Sequence, residues 1–135
     1  MYRCQGKFSM NIKKEIKSTL AQIESLVTEM TNVSLMVGAS FGIVYRKCGK
    51  ANCRCNNDDS KKHPVIRITF TENKKSRTKA IPTKDEQWVK EVTDNYRNFR
   101  QNFQQLRICE NRLNELLNQF EKNAKEKTRV LKKYL

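Results

Sequence analysis

Phe41-Gly42-Ile43-Val44-Tyr45-Arg46-Lys47-Cys48-Gly49-Lys50-Ala51-Asn52-Cys53-Arg54-Cys55 decides how the rest of this 135-residue chain is read. Its first five residues are β-branched or aromatic around one glycine, and with Arg46 and Lys47 they read as a strand. The strand then runs into three cysteines within eight residues. A polar stretch leads on to His63, giving the spacing C-x4-C-x-C-x7-H. A second strand pattern follows at Val65-Ile66-Arg67-Ile68-Thr69-Phe70. Glu72 to Ser76 is a polar turn, Arg77 to Ile81 is a third short strand, and Pro82 ends it. Two strands about a short polar turn predict a β-hairpin, although no Asn-Gly pair fixes the turn type.

Outside this centre the pattern is helical. Ile12, Ile16, Leu20, Ile23, Val27 and Met30 recur at steps of three and four, so residues 10–31 form an amphipathic helix. Thr83 with Glu86 has the spacing of a capping box. Trp88, Val92, Tyr96, Phe99, Phe103, Leu106, Leu113, Leu117 and Phe120 then mark a seam along residues 84–121, interrupted at Glu110. A seam of that period implies coiled-coil-like packing. The expected fold is α+β and mostly helical: an N-terminal helix, a small three-stranded antiparallel sheet (41–82) with a zinc loop, and a long C-terminal helix. Residues 10–121 form a single domain. Residues 1–9 are a disordered extension if Met10 is the true start, and 122–135 are a basic tail or helix end. The long helix is expected to pack lengthwise on the first. Its distal seam at Leu113, Leu117 and Phe120 is then left bare for a homodimer.

Clustered cysteines without an export signal point to a metal rather than disulfides. Cys48, Cys53 and Cys55 supply three thiolates. The fourth ligand is His63, or else Asp58 or Asp59. A Cys3His set suits structural Zn2+, which wants four tetrahedral donors. Cys109 lies near the helical seam and is expected to pack there.

The motif also resembles a family of small uncharacterised bacterial and archaeal proteins. Val44-Tyr45-Arg46-Lys47-Cys48-Gly49-Lys50-Ala51-Asn52-Cys53-Arg54-Cys55 matches a V-Y-R-K-C-G-K-P-N-C-R-C core, followed by His63-Pro64 and a basic hairpin through Arg77-Thr78-Lys79. Ala51 replaces a proline of that pattern, His63-Pro64 lacks its glycine, and Val65-Ile66 replace aromatics. The resemblance covers residues 33 to 100. It implies a setting beside transposases or other mobile-element genes, with a transposase-type protein as a possible partner, and no assigned chemistry.

Charge carries the functional expectation. Lys and Arg number 28 against 14 acids, a formal net charge of +14. Between residues 46 and 79 stand Arg46, Lys47, Lys50, Arg54, Lys61, Lys62, Arg67, Lys74, Lys75, Arg77 and Lys79 against Asp58, Asp59 and Glu72, a net +8. The long helix is near neutral. A localised excess is the footprint of a phosphate-backbone binder, DNA or RNA. No apolar run is long enough to span a membrane and no signal peptide is visible, so the chain is expected in the cytoplasm. Catalysis is not expected: the chain has one histidine, no Gly-rich phosphate loop and no nuclease-like carboxylate set. The competing expectation is a coiled-coil oligomerisation or protein-interaction module that binds no nucleic acid.

Overall fold

The computed structural model of the chain describes residues 2–134, apart from the side chains of residues 2–10, 129, 130 and 132. Helix α1 spans Tyr2–Thr31. Strands β1 (Ser40–Arg46), β2 (His63–Glu72) and β3 (Lys75–Ile81) follow, and helix α2 spans Glu86–Lys127. The strands form one antiparallel sheet in the order β1-β2-β3. Short 3-10 turns occupy Arg54–Asn56, Asp59–Lys61, Thr83–Asp85 and Arg129–Tyr134. This is the expected α+β architecture. Helix α1 starts well before residue 10. The expected extension over residues 1–9, with Cys4, falls among side chains outside the description. At the other end α2 continues past Glu121 to Lys127, where a Lys125–Glu121 ion pair of 2.6 Å bridges one turn. The fading apolar pattern there marks the end of the seam and not of the helix.

The chain divides into two compact units, one of residues 33–100 and one built from the two chain ends, 1–32 and 101–135. In the second unit α1 lies antiparallel to the distal part of α2. Glu15 pairs with Arg112 at 2.7 Å, Cys109 donates toward the Gln22 side-chain oxygen at 3.8 Å, and Lys13 sits 6.0 Å from the Phe120 ring. Ile12 and Leu116 are each 2% exposed. The expectation that α1 leaves the distal seam bare is therefore corrected in part: α1 packs on that stretch over Leu116 and half-buried Leu113, while Leu117 and Phe120 stay exposed.

The seam also differs from the apolar spacing by single residues. On α1 the inward positions are Ile12, Ile16, Thr19, Ile23, Leu26 and Met30, a strict four-three alternation. Leu20 and Val27 are exposed instead. On α2 Glu110 occupies the position where the heptad requires an apolar residue. The seam shifts back to Cys109 and continues through Leu113 and Leu116, which leaves Leu117 46% exposed. Cys109 sits at this inward position, as its place near the seam implied.

In the unit of residues 33–100, the link from α1 to β1 is tied to the start of α2. The Val37 N–H donates to the Val92 carbonyl at 3.0 Å, and the Asn95 amide donates to the Leu35 carbonyl at 3.0 Å. Ile66 and Val89 are buried there, as is Thr93, whose hydroxyl donates to the Val89 carbonyl at 2.9 Å. Thr83 does not cap α2. A 3-10 turn after Pro82 leads in, closed by the Asp85 N–H on the Pro82 carbonyl at 2.9 Å. Asp85 in turn accepts the Trp88 indole N–H at 2.9 Å.

The hairpin turn is tighter than the sequence suggests. Glu72 pairs with Lys75, leaving only Asn73 and Lys74 in the loop, both with positive φ (51° and 65°). That is the signature of a type I′ turn, whose second position favours glycine.

Candidate metal centre

The loop between β1 and β2 is built to converge. Gly49 has φ +81°, a left-handed conformation that turns the chain just after Cys48. The Cys53 N–H then donates to the Lys50 carbonyl at 3.2 Å, closing a four-residue turn. Cys55 lies in the following 3-10 turn, and His63 opens β2 opposite Arg46, the last residue of β1. Two strand ends and two short turns thus fix the four candidate ligands. Asn56 braces the loop from inside, its amide donating to the Lys50 carbonyl at 2.6 Å and the Ala51 carbonyl at 3.3 Å. Sequence reading did not single out Asn56. Its signal was chemical: asparagine side chains readily bond nearby turn backbone.

Cys48, Cys53, Cys55 and His63 present ligand atoms that all lie within 4.8 Å of one another. Cys48 Sγ and Cys55 Sγ are 3.6 Å apart, and Cys53 Sγ is 3.1 Å from His63 Nε2. Around a tetrahedral ion with metal–sulfur bonds of about 2.3 Å, such edges measure roughly 3.5 to 3.8 Å. The four groups fit one metal ion with only small adjustment. The cysteines are free thiols, and Cys55 is fully buried.

The local field favours a thiolate. The Cys48 backbone N–H points at Cys55 Sγ at 3.4 Å. That hydrogen bond lowers the Cys55 thiol to about 7, against the opposing effect of burial and with help from its Cys53, Cys48 and His63 neighbours. Cys53 moves the other way. The Cys55 N–H lowers it, but thiol neighbours Cys55 and Cys48, together with burial, raise it above its ordinary value. One member of the group is thus poised to ionise first, which suits a site that must lose protons to bind metal.

The aspartates have other work. Asp58 accepts from Ser60 N at 3.0 Å and Ser60 Oγ at 2.7 Å, capping the 3-10 turn Asp59–Lys61, and those bonds hold its carboxyl below the usual range. Asp59 pairs with Lys62 at 3.4 Å. Of the three candidates for the fourth ligand, His63 is the one placed with the thiols.

The basic residues spread over three places. Lys47, Lys50, Arg54, Lys61 and Lys62 lie in or beside the ligand loop, and Lys74 sits in the hairpin turn. Alternation along the strands puts Lys75, Arg77 and Lys79 on one sheet face with Ile66, and Arg46 and Arg67 on the other. Arg77 is paired with Glu72 at 3.2 Å. The eleven cations do not form one stripe.

The family model for a domain of unknown function, DUF6788, matches residues 11–91. The chain belongs to the DUF6788 family. The matched span holds all four candidate ligands, the whole sheet and the first residues of α2, and it stops short of the distal seam. No curated protein and no solved structure matches the chain. Among the described residues no helix is long and apolar enough to cross a membrane.

Proposed function

We propose that this DUF6788 protein is a zinc-stabilised, nucleic-acid-binding accessory protein of the cytoplasm, associated with a mobile element, and that it is not an enzyme. The observation that carries the reading is the four-ligand Cys3His group, set in a loop that also bears Lys47, Lys50 and Arg54. Three thiolates and one imidazole suit zinc among the common divalent ions, and clustered thiols stay reduced in the cytoplasm. Four protein ligands fill a tetrahedral ion, so the metal's part is to hold the fold and leave no position for substrate. Cations fixed by such a loop lose less freedom when they meet phosphates. The mobile-element setting rests on the resemblance of the cysteine core alone.

The test is elemental analysis of the purified chain followed by nucleic-acid titration across salt concentrations. One zinc per chain is expected. If five or six phosphates are neutralised, the slope of log K against log salt is about −5 on a duplex. Replacing Lys74, Lys75 and Arg77 together should flatten it by two to three units, roughly one unit for each phosphate no longer neutralised. No binding below about ten micromolar at low salt defeats this reading.

A second reading has its own observation. Leu20, Val27, Leu117 and Ile108 are exposed on the helical unit. A homodimer through the long helix, or a transposase-type protein partner, would cover them. In that case the helices are the working surface and the charge serves solubility.

A further inference from the structure

Tyr45 is 64% exposed, and among the described residues its hydroxyl has no hydrogen-bond partner. The register places it directly opposite Pro64, which is exposed, and alternation puts Ile43, 44% exposed, on the same sheet face one step along. Ile66, the one buried side chain among the described residues of the sheet, pairs with the exposed Ile43, and one row nearer the metal loop both Tyr45 and Pro64 are exposed. An aromatic and aliphatic patch left open beside charge marks a binding surface more often than a defect.

The charge beside it is specific. Arg46 and Lys47 follow Tyr45 directly and lead into the ligand Cys48. Lys50 lies in the ligand turn, its carbonyl held by both the Cys53 N–H and the Asn56 amide. These three cations form no ion pair among the described residues, whereas Lys62 and Arg77 are matched by Asp59 and Glu72. An open aromatic ring two residues from unpaired Lys47 and five from Lys50, whose carbonyl is held in the ligand turn, has two functions to offer one ligand: a face on which a base stacks, and donors for the phosphates beside it. A duplex keeps its bases stacked on one another and offers nothing to the ring. A single strand offers both.

We propose that the Ile43–Tyr45–Pro64 patch is a base-stacking platform for single-stranded nucleic acid, with Lys47 and Lys50 as its phosphate contacts. This rests on the nucleic-acid reading above and narrows it to strandedness. Because every base has a π-face, the platform tolerates sequence.

The probe is a labelled single-stranded oligonucleotide, with the same sequence as a duplex for comparison, titrated with the full zinc-loaded chain. The single strand is expected to bind more tightly. Tyr45→Ala should weaken single-strand binding by roughly five- to a hundredfold, the range of one lost base stack, and leave duplex binding unchanged. Tyr45→Phe should restore it, since the ring and not the hydroxyl stacks. The salt slope separates the roles. Tyr45→Ala leaves it unchanged, whereas Lys47→Ala and Lys50→Ala each flatten the single-strand slope by about 0.7. Tyr45 is a surface residue, and a melting curve matching wild type confirms that each variant is folded. If wild type binds neither form, the nucleic-acid reading itself falls. If it binds while Tyr45→Ala binds both forms as wild type does, or loses both equally, the platform is overturned. A Tyr45→Ala variant that instead turns a dimer into a monomer by light scattering overturns it in favour of self-association.

Discussion

Leu116 and Leu117 are adjacent, chemically identical and predicted to behave very differently. Leu116 is 2% exposed beneath α1 and Leu117 is 46% exposed. Truncating Leu116 to alanine removes buried methyl groups and leaves a cavity between two helices. Leu→Ala changes at such sites cost about 3 to 5 kcal/mol. Leu117 is little more than half buried, so its truncation forfeits about half of the roughly 1.5 to 3 kcal/mol that full burial provides, and solvent fills the space. The expected cost is about 1 kcal/mol. Both changes gain the same helix propensity, which cancels in the comparison. Urea unfolding followed by far-ultraviolet circular dichroism, at two protein concentrations tenfold apart, reads the difference. The Leu116→Ala midpoint should fall well below that of Leu117→Ala. In thermal melts the gap should be about 8 to 16 °C, at roughly 4 °C per kcal/mol. A larger loss for Leu117→Ala than for Leu116→Ala would refute the register of the helix pair.

Lys74→Gly should stabilise the chain by about 0.5 to 1 kcal/mol in urea titration. It relieves a left-handed residue costing about 1 to 2 kcal/mol and gives back about 0.5 to 1 kcal/mol in glycine entropy; a destabilised variant would contradict the I′ turn. Chelation and Cys53→Ser should each lower the melting temperature, by about 2.7 kcal/mol equivalent for metal at a hundredfold Kd, and should not add. Asp59→Asn should stay within about 0.5 kcal/mol of wild type, and a loss comparable to Cys53→Ser would make Asp59 a ligand. In the metal-free chain the Cys55 pKa is depressed on folding, from 9.0 to about 7. Its contribution to stability is therefore present above pH 9 and lost as pH falls through 7. Carbon NMR at the cysteine Cβ should show the Cys55 thiol titrating near 7, and a Cys55 midpoint at or above 9 would dismiss the Cys48 N–H as the cause.

The cysteine loop was the most legible part of the chain, because ligand chemistry depends on residue type and spacing, and both are written in the sequence. Only the fourth ligand stayed open, and a local hydrogen bond closed it: Ser60, two residues after Asp58, draws that carboxylate into a turn cap. The strands were legible to within two residues at their ends. The helical seam was legible as a pattern but not residue by residue. Leu26 beside Val27, and Leu116 beside Leu117, offer periodicity two equal choices, and Thr19 loses to Leu20 on hydrophobicity while winning on geometry. The strict four-three alternation from Ile12 to Met30 was the stronger signal. Glu110 announced a break without saying which way the seam would move. That α1 packs lengthwise on α2 was read from their matching seams, but the stretch used was not, since two matching seams say nothing about which part of the longer one is covered. Thr83 shows the reverse error. A good capping residue is idle when Pro82 sets up a 3-10 entry one step earlier.

The helical unit is assembled from the first and last parts of the chain, and the sheet and the ligand loop lie between those parts in sequence. During synthesis α1 is therefore made first and its partner last. Some ninety residues separate Thr31 from Phe120, which at about 5 to 20 residues per second is roughly 5 to 20 seconds of translation. For that interval the nascent chain carries an amphipathic helix with nothing to cover its seam, and the middle unit becomes complete only once residue 100 has been made. A chain ending after residue 100 would hold all the residues of the middle unit together with a first helix that lacks its partner. Quality control would act on that species, and the completion of α2 is the event that removes it.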